Sequence, residues 1–182
     1  MFQGNLIEKC KKNDRKAQLQ LYNKYCDGMF HIAYRFMKSV EDAEDVMQEA
    51  FVKAFRKLHQ YQGEVTFGAW LKRIVINQCI DRLKYEKQQL LSLDDHPMEV
   101  VQTESDYPSE EENLELKEQI MEAIASLSEK YRIVVLLYLV EGYDHAEISE
   151  ILGITETASR TKLLRGKRKL QGYLKAYEHG IG

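Results

Sequence analysis

From Gly142 to Leu170 the chain reads GYDHAEISEILGITETASRTKLLRGKRKL, and this stretch decides the architecture of the C-terminal half. Asp144 and Glu147 have the spacing of a capping box, in which each side chain satisfies the other residue's backbone N–H at a helix start. Ile148, Ile151 and Leu152 then form one apolar face. Gly153 can adopt the left-handed conformation that ends a helix, and Thr155 can cap the next one. Along that second helix Leu163, Leu170 and Leu174 recur at helical spacing and should pack inward. Thr161, Arg165 and Arg168 repeat on the opposite side, flanked by Arg160 and Lys162. Between Thr155 and Lys175 seven Lys or Arg stand against one Glu, in a chain whose net charge is -3. Positive charge is thus concentrated where DNA phosphates would lie. Short helix, glycine turn and long basic helix together make a helix-turn-helix, whose second helix enters the major groove. A merely solvated amphipathic helix would explain the charge run but not the turn before it.

The 182 residues leave room for one ordinary domain or two small ones, and 44% hydrophobic with 30% charged residues is a globular composition. No leader-like N-terminus and no apolar run near membrane-spanning length is present, so a cytoplasmic protein is expected. Cys10, Cys26 and Cys79 are widely spaced without a CxxC pair, and read as reduced, mostly packed thiols. His31, His59, His96, His145 and His179 make no ligand pattern with them, so neither a metal nor any other cofactor is expected.

Both prolines, Pro97 and Pro108, fall in one stretch, and from Asp94 to Glu112 there are eight Asp or Glu and no Lys or Arg. That composition reads as a flexible acidic linker, placed at 91–112, between helical domains at 1–90 and 113–182. No strand pattern or internal repeat interrupts the helical periodicity, so the fold class is all-α.

In the N-terminal half, helical segments run from about Leu6 to Met37, with breaks expected near Asn13 and Gly28. In the next helix Ala43, Val46, Met47, Ala50, Phe51, Ala54 and Leu58 form an apolar stripe, with Ser39 as its cap and acidic residues near the positive end of its dipole. Its other face carries Asp45, Gln48, Glu49, Val52 and Arg56, either a solvated face or a protein-docking surface. A loop from His59 to Thr66 leads to the helix Phe67–Lys84. This helix is apolar on two sides (Phe67, Leu71, Ile74 and Ile76, Ile80, Leu83) and is expected to be nearly buried, Phe67 and Trp70 being read as core residues. One narrow polar stripe remains, at Arg73, Asn77, Asp81 and Lys84, suited either to internal salt bridges or to a ligand.

Asp42-Ala-Glu-Asp-Val-Met-Gln-Glu-Ala-Phe51, followed by Phe67-x-x-Trp-Leu-x-x-Ile-x-x-Asn-x-x-x-Asp81, an acidic linker and a helix-turn-helix, resembles the extracytoplasmic-function (ECF) sigma factors, group 4 of the bacterial sigma-70 family. The likeness runs from about Asn13 to Leu174. It implies a region 2-like helical bundle and a region 4-like helix-turn-helix in a non-catalytic subunit that binds core RNA polymerase, directs it to promoter DNA and helps open it. Asp45, Gln48, Glu49 and Val52 match the segment that docks on the polymerase clamp helices. Tyr61, Gln62, Gly63, Glu64, Arg73, Asn77 and Lys84 match the loop and helix that read and open the minus-ten element, Asn77 helping to hold a base turned out of the duplex. Arg160, Thr161, Leu164 and Arg165 match the positions that meet the minus-thirty-five element. Lys162, Lys167, Arg168 and Lys169 suit phosphate contact, which orients a helix without reading sequence. Where the family commonly has Gly-Thr at the start of the recognition helix, this chain has Thr157-Ala158, so its backbone approach to DNA need not follow the family's. The resemblance also implies control by an anti-sigma factor, frequently a membrane-anchored one, and no small-molecule substrate. Two other functions fit less of the chain. A stand-alone helix-turn-helix regulator would explain only the C-terminal half, and an enzyme is disfavoured by the lack of a phosphate-binding glycine loop, HExxH or GxSxG.

Overall fold

In the computed structural model, residues 2–92 and 113–178 are described, with side-chain detail thinning toward the ends of each stretch. Most of the acidic segment placed at 91–112 lies outside them, as do His96 and His179. Every regular element among the described residues is helical. The chain divides between Ser92 and Leu93 into two compact units.

The first unit holds α1 (Phe2–Lys11), α2 (Arg15–Met37), α3 (Val40–Lys57) and α4 (Phe67–Ser92). Asn13 takes a left-handed φ of 61° between α1 and α2, and Asp14 caps α2 by accepting from the N–H groups of Lys16 and Ala17. The expected break at Asn13 is therefore present. The one expected at Gly28 is not: α2 runs through it without interruption. A helical glycine costs about 1 kcal/mol relative to alanine, and the buried Met29, Ile32, Ala33 and Phe36 just beyond it outweigh that local preference. Lys38, left-handed at φ 63°, ends α2 and donates its N–H to the Tyr34 carbonyl. Ser39 then caps α3 through the Asp42 N–H at 3.2 Å.

The whole expected apolar stripe of α3 is buried, and a single 3₁₀ turn, Leu58–Gln60, carries its last member, Leu58. Helices α2, α3 and α4 each pack on the other two. Tyr22 meets Phe51 at 4.8 Å between ring centroids, and Tyr25 meets Phe67 at 5.3 Å.

Helix α4 departs from the sequence expectation in two ways. It continues past Lys84 to Ser92, and it is buried along one strip rather than nearly all round. That strip is Phe67, Leu71, Val75, Ile76, Cys79 and Ile80, whereas Ile74 and Leu83 are only partly buried and Tyr85 is exposed. Apolar residues on two sides of a helix do not require cover on both.

The second unit holds α5 (Asn113–Ser126), α6 (Glu129–Val135), α7 (His145–Leu152) and α8 (Glu156–Glu178). Helix α6 widens into a π turn over Leu136–Val140, where the Glu141 N–H reaches the Leu136 carbonyl at 2.9 Å. Ile124, Leu127, Ile133, Val134, Val135, Leu136, Leu137, Ile148, Leu163 and Leu170 form the core. Arg132 is buried among them; burial pushes its pKa down, opposed by the charge of Glu129. Helix α8 approaches α6 closely at Gly166. A Cβ on Gly166 would lie 2.6 Å from Val135 Cγ2, and Val135 is fully buried.

Two glycines of one helix therefore have opposite expected responses. Gly172→Ala has open space around it and should gain up to about 1 kcal/mol of helix propensity. Gly166→Ala should lose more by overpacking than it gains, a net loss on the order of 1 kcal/mol. Amide exchange in α6 and α8 should slow in the first variant and quicken in the second; equal behaviour would mean that the α6–α8 contact is loose.

The three cysteines are free, Cys10 and Cys79 buried and Cys26 partly exposed. Burial pushes the Cys79 thiol up to about 12 and raises Cys10 as well, with Asp14 adding to the latter. Cys26 is also raised, by burial and then Asp27. Because the thiolate is the nucleophile, labelling speeds up with pH, and at neutral pH Cys26 should react first with iodoacetamide. Mass spectrometry showing Cys79 modified as early as Cys26 would contradict this packing.

Candidate functional site

Asp45, Gln48, Glu49 and Val52 follow one another at steps of three, one and three residues, which places them on one face of α3. All four are exposed, Val52 at 50%, directly behind the buried stripe. Glu49 alone is engaged from the neighbouring helix: its Oε2 accepts from Gln78 Nε2 at 2.8 Å, while Gln78 Oε1 accepts from Lys53 Nζ at 3.3 Å. One step along the same seam, Arg82 bonds Asp42 at 3.3 Å and Glu86 at 2.9 Å.

The loop before α4 is closed by its own tyrosine. Tyr61 donates its hydroxyl to the Val65 carbonyl at 2.7 Å, arching the chain over Gln62, Gly63 and Glu64, all exposed. Gly63 takes φ 81°, which any larger residue would resist. Thr66 Oγ1 then accepts the Ala69 N–H at 3.3 Å and starts α4. The Tyr61 ring packs against Phe67 at 5.7 Å and Trp70 at 5.4 Å. Phe67 is a core residue as expected, but Trp70 is only partly buried. Trp70 heads the stripe that continues through Arg73, Asn77, Asp81 and Lys84 at steps of three or four, so its position follows the polar side of α4. Arg73, Asp81 and Lys84 are exposed and Asn77 is partly buried.

Helix α1 had no expected role. Its residues Ile7, Glu8 and Lys11 line an open pocket of about 320 Å³ whose other wall is Tyr61, Gln62, Gly63, Thr66 and Phe67. Glu8 and Lys11 pair at 3.0 Å on its rim. Asn77 does not line it.

In the second unit the capping box forms as read: Asp144 Oδ1 accepts the Glu147 N–H at 2.8 Å and Glu147 Oε2 accepts the Asp144 N–H at 3.0 Å. Gly153 ends α7 at φ 67°, and Thr155 Oγ1 accepts the Ala158 N–H at 3.1 Å to start α8. Neither Thr157 nor Ala158 has a positive φ, so an alanine in place of the family's usual residues leaves the helix start regular.

Ser159, fully buried, bonds the His145 ring at 2.8 Å, and that ring stacks on Tyr138 at 4.7 Å. These three side chains join α7, α8 and the π turn. Nothing in the spacing of the sequence distinguished His145 or Ser159.

Helix α8 buries Ser159, Leu163, Gly166 and Leu170, with Leu174 partly covered. At 100° per residue, Arg160, Thr161, Leu164, Arg165 and Arg168 fall on the opposite side. All are exposed, Leu164 at 52%. Arg160 pairs with Glu156 at 2.7 Å, and the Thr161 hydroxyl donates to the Thr157 carbonyl at 2.9 Å. Lys162 and Lys169, seven apart, occupy one flank, and Lys167 the other. The ammonium of Lys167 lies 5.5 Å from the Tyr138 ring and that of Lys169 6.0 Å from Tyr131, so both lysines lean on aromatic faces. An apolar residue between arginines, framed by lysines, suits base edges at the centre and phosphates at the sides.

Among the described residues no cluster of His, Cys, Asp and Glu could hold a metal ion, and no helix is long and apolar enough to cross a membrane.

Residues 21–89 match the family model of sigma-70 region 2, and residues 117–170 match that of sigma-70 region 4. The chain is 32% identical over 181 residues to the ECF RNA polymerase sigma factor SigW of Bacillus subtilis, covering 93% of this chain and 95% of that one. It is 30% identical over 173 residues to the ECF RNA polymerase sigma-E factor of Escherichia coli K12, covering 91% and 90%. Among solved structures, RpoE of Bartonella quintana in complex with the anti-sigma factor NepR is similar at a TM-score of 0.61 and 21% identity, covering 86% of this chain and 95% of that one. CnrH in complex with the cytosolic domain of CnrY follows at 0.54 and 22%, covering 94% and 96%. These two structures share the fold. Both family models in order, and relatives matched nearly from end to end, lead to one conclusion: the chain belongs to the ECF sigma factors of the sigma-70 family.

Proposed function

We propose that the two units divide promoter recognition between them, each through the face left uncovered by its own core. As an ECF sigma factor the protein is a transcription-initiation subunit of bacterial RNA polymerase and not an enzyme. In the proposed division, residues 1–90 dock on core polymerase through Asp45, Gln48, Glu49 and Val52 and engage the minus-ten element through Tyr61, Gln62, Gly63, Glu64, Arg73, Asn77 and Lys84. Residues 113–182 engage the minus-thirty-five element through Arg160, Thr161, Leu164 and Arg165. Lys162, Lys167, Arg168 and Lys169 grip the phosphates beside it, and residues 91–112 connect the two. The observation that carries this reading is the face of α8, where Leu164 is 52% exposed between arginines although buried leucines were available one step round the helix.

The physical chemistry follows from charge and stacking. Arginine can bond guanine through two hydrogen bonds, and an exposed leucine can meet a thymine methyl. On α4, an unstacked base loses its neighbours, and the Asn77 amide offers replacement hydrogen bonding, with Trp70 on the same side of the helix two turns away. A net charge of -3 keeps the chain as a whole from binding DNA indiscriminately. Its affinity for DNA is confined to α8 and the α4 stripe, and polymerase supplies the rest.

The protein works in the cytoplasm, where polymerase is found. The complex of a similar protein, the sigma factor RpoE with the anti-sigma factor NepR, supports control of this one by an anti-sigma partner as well.

Transcription in vitro with core polymerase tests the reading. Start sites that appear only with this protein are expected. Arg165→Ala should weaken promoter binding by about 1–3 kcal/mol and relax preference at one base pair of the upstream element. Lys167→Ala should weaken all promoters alike and reduce the salt dependence by about one phosphate contact. Val52→Glu should lower core affinity in a folded protein. If no transcript depends on the protein and core polymerase is not bound, the sigma role fails, and tight binding of the free protein to a palindrome would favour a stand-alone regulator.

A further inference from the structure

The docking face of α3 is one helix wide, and glutamates on such faces ordinarily sample several rotamers. Glu49 does not stand alone. Gln78 reaches across from α4, its Nε2 donating to Glu49 Oε2 at 2.8 Å while its Oε1 accepts from Lys53 Nζ at 3.3 Å. Glu49 and Lys53 are four apart, the spacing at which a glutamate and a lysine on a free helix attract each other directly. Here a neutral amide is placed between them. A carboxamide can donate at one end and accept at the other, and only one orientation of it suits a carboxylate on one side and an ammonium on the other. The amide therefore has one setting, and it fixes the direction of the carboxylate. Gln78 and Lys53 are both partly buried, whereas Glu49 is exposed, so the fixed end of the chain of bonds is the interior one. The neighbouring Arg82–Asp42 bond at 3.3 Å ties the same two helices one turn away, which keeps the α3–α4 seam closed without Gln78.

We propose that Gln78 is a positioning residue for polymerase docking, holding the Glu49 carboxylate in the direction in which core polymerase meets it. The inference rests on the proposed docking role of the α3 face. Gln78 does not touch the partner; it acts through Glu49 and shortens the list of conformers that must be given up on binding. The same amide sits next to Asn77 in α4, so the docking helix and the proposed base-holding helix are joined at the residue beside the base-holding one.

The test is a double-mutant cycle on affinity for core polymerase, measured with the full-length protein. Gln78→Leu keeps the size but neither bonding end, and should weaken core binding by about five- to tenfold, the net scale of one ordinary hydrogen bond. In a Glu49→Ala background the same substitution should have no further effect, a coupling that a merely structural role would not produce. Gln78→Glu, of equal length, repels Glu49 while still accepting from Lys53, and should weaken binding at least as much. Amide exchange in α3 and α4 should stay unchanged in these variants. If Gln78→Leu weakens binding equally with and without Glu49, or not at all while Glu49→Ala weakens it, the positioning role is overturned and the docking face stands. If neither Glu49→Ala nor Val52→Glu alters core affinity, the docking face itself is wrong and the positioning role falls with it.

Discussion

Alanines at 43, 50 and 54 in α3 are almost wholly inaccessible to solvent, and their small size lets α2 and α4 close on that helix from both sides. Larger side chains there would hold the three axes apart, because helix spacing follows the residues at the contact. The close approach determines much that follows. It leaves only the narrow outer face of α3 uncovered, and it brings Gln78 and Arg82 of α4 within bonding distance of Glu49 and Asp42. It also leaves one side of α4 uncovered, so the stripe from Trp70 to Lys84 becomes surface. The second unit uses the same device with a smaller residue: Gly166 lets α8 lie on Val135, and the face opposite Gly166 is the basic one. In both units the proposed contact surface lies opposite a face that the unit's own core covers.

Charge is sorted to match. Exposed carboxylates gather on α3, whereas α8 carries Arg and Lys on its outer face and both flanks. Each set is concentrated on a single helix, so neither is averaged away by the modest net charge of the chain. Fields of this kind act over about a Debye length, some 8–10 Å at physiological salt.

Local signals were legible wherever they depended on a few consecutive residues. The caps at Ser39 and Asp144, the left-handed Gly153, the buried stripe of α3 and the two faces of α8 are all stated by spacing alone, and their bonds form as read. What was illegible depended on which faces the rest of the fold covers. Gly28 resembles a breaker until Met29, Ile32 and Phe36 are seen to be buried. Trp70 looked like core because α4 is apolar on two sides, and periodicity does not say which side a neighbour covers. Gly166 sits in a basic run and carries no sign of the valine opposite. Gln78, His145 and Ser159 are ordinary polar residues until Glu49, Lys53 and Tyr138 are set beside them.

The strengths of these polar contacts differ in a way that bears on recognition. The Ser159–His145 bond involves a serine with no exposure, where an unmade bond would leave a buried polar group unsatisfied at about 1–3 kcal/mol. It holds α8 to α7 and is not available for exchange. The Arg160–Glu156 pair is exposed on both sides, and such pairs are worth little and re-form easily. Arg160 can thus leave Glu156 for another partner at small cost. Thr161, whose hydrogen is used on the Thr157 carbonyl, can offer a partner only an acceptor while that bond lasts. A base presenting an amino group suits it and a bare carbonyl does not. Helix α8 is therefore rigid in placement and loose at its outer atoms, a combination that in the proposed reading fixes register through the buried bonds and leaves the choice of base to side chains that lose little by moving.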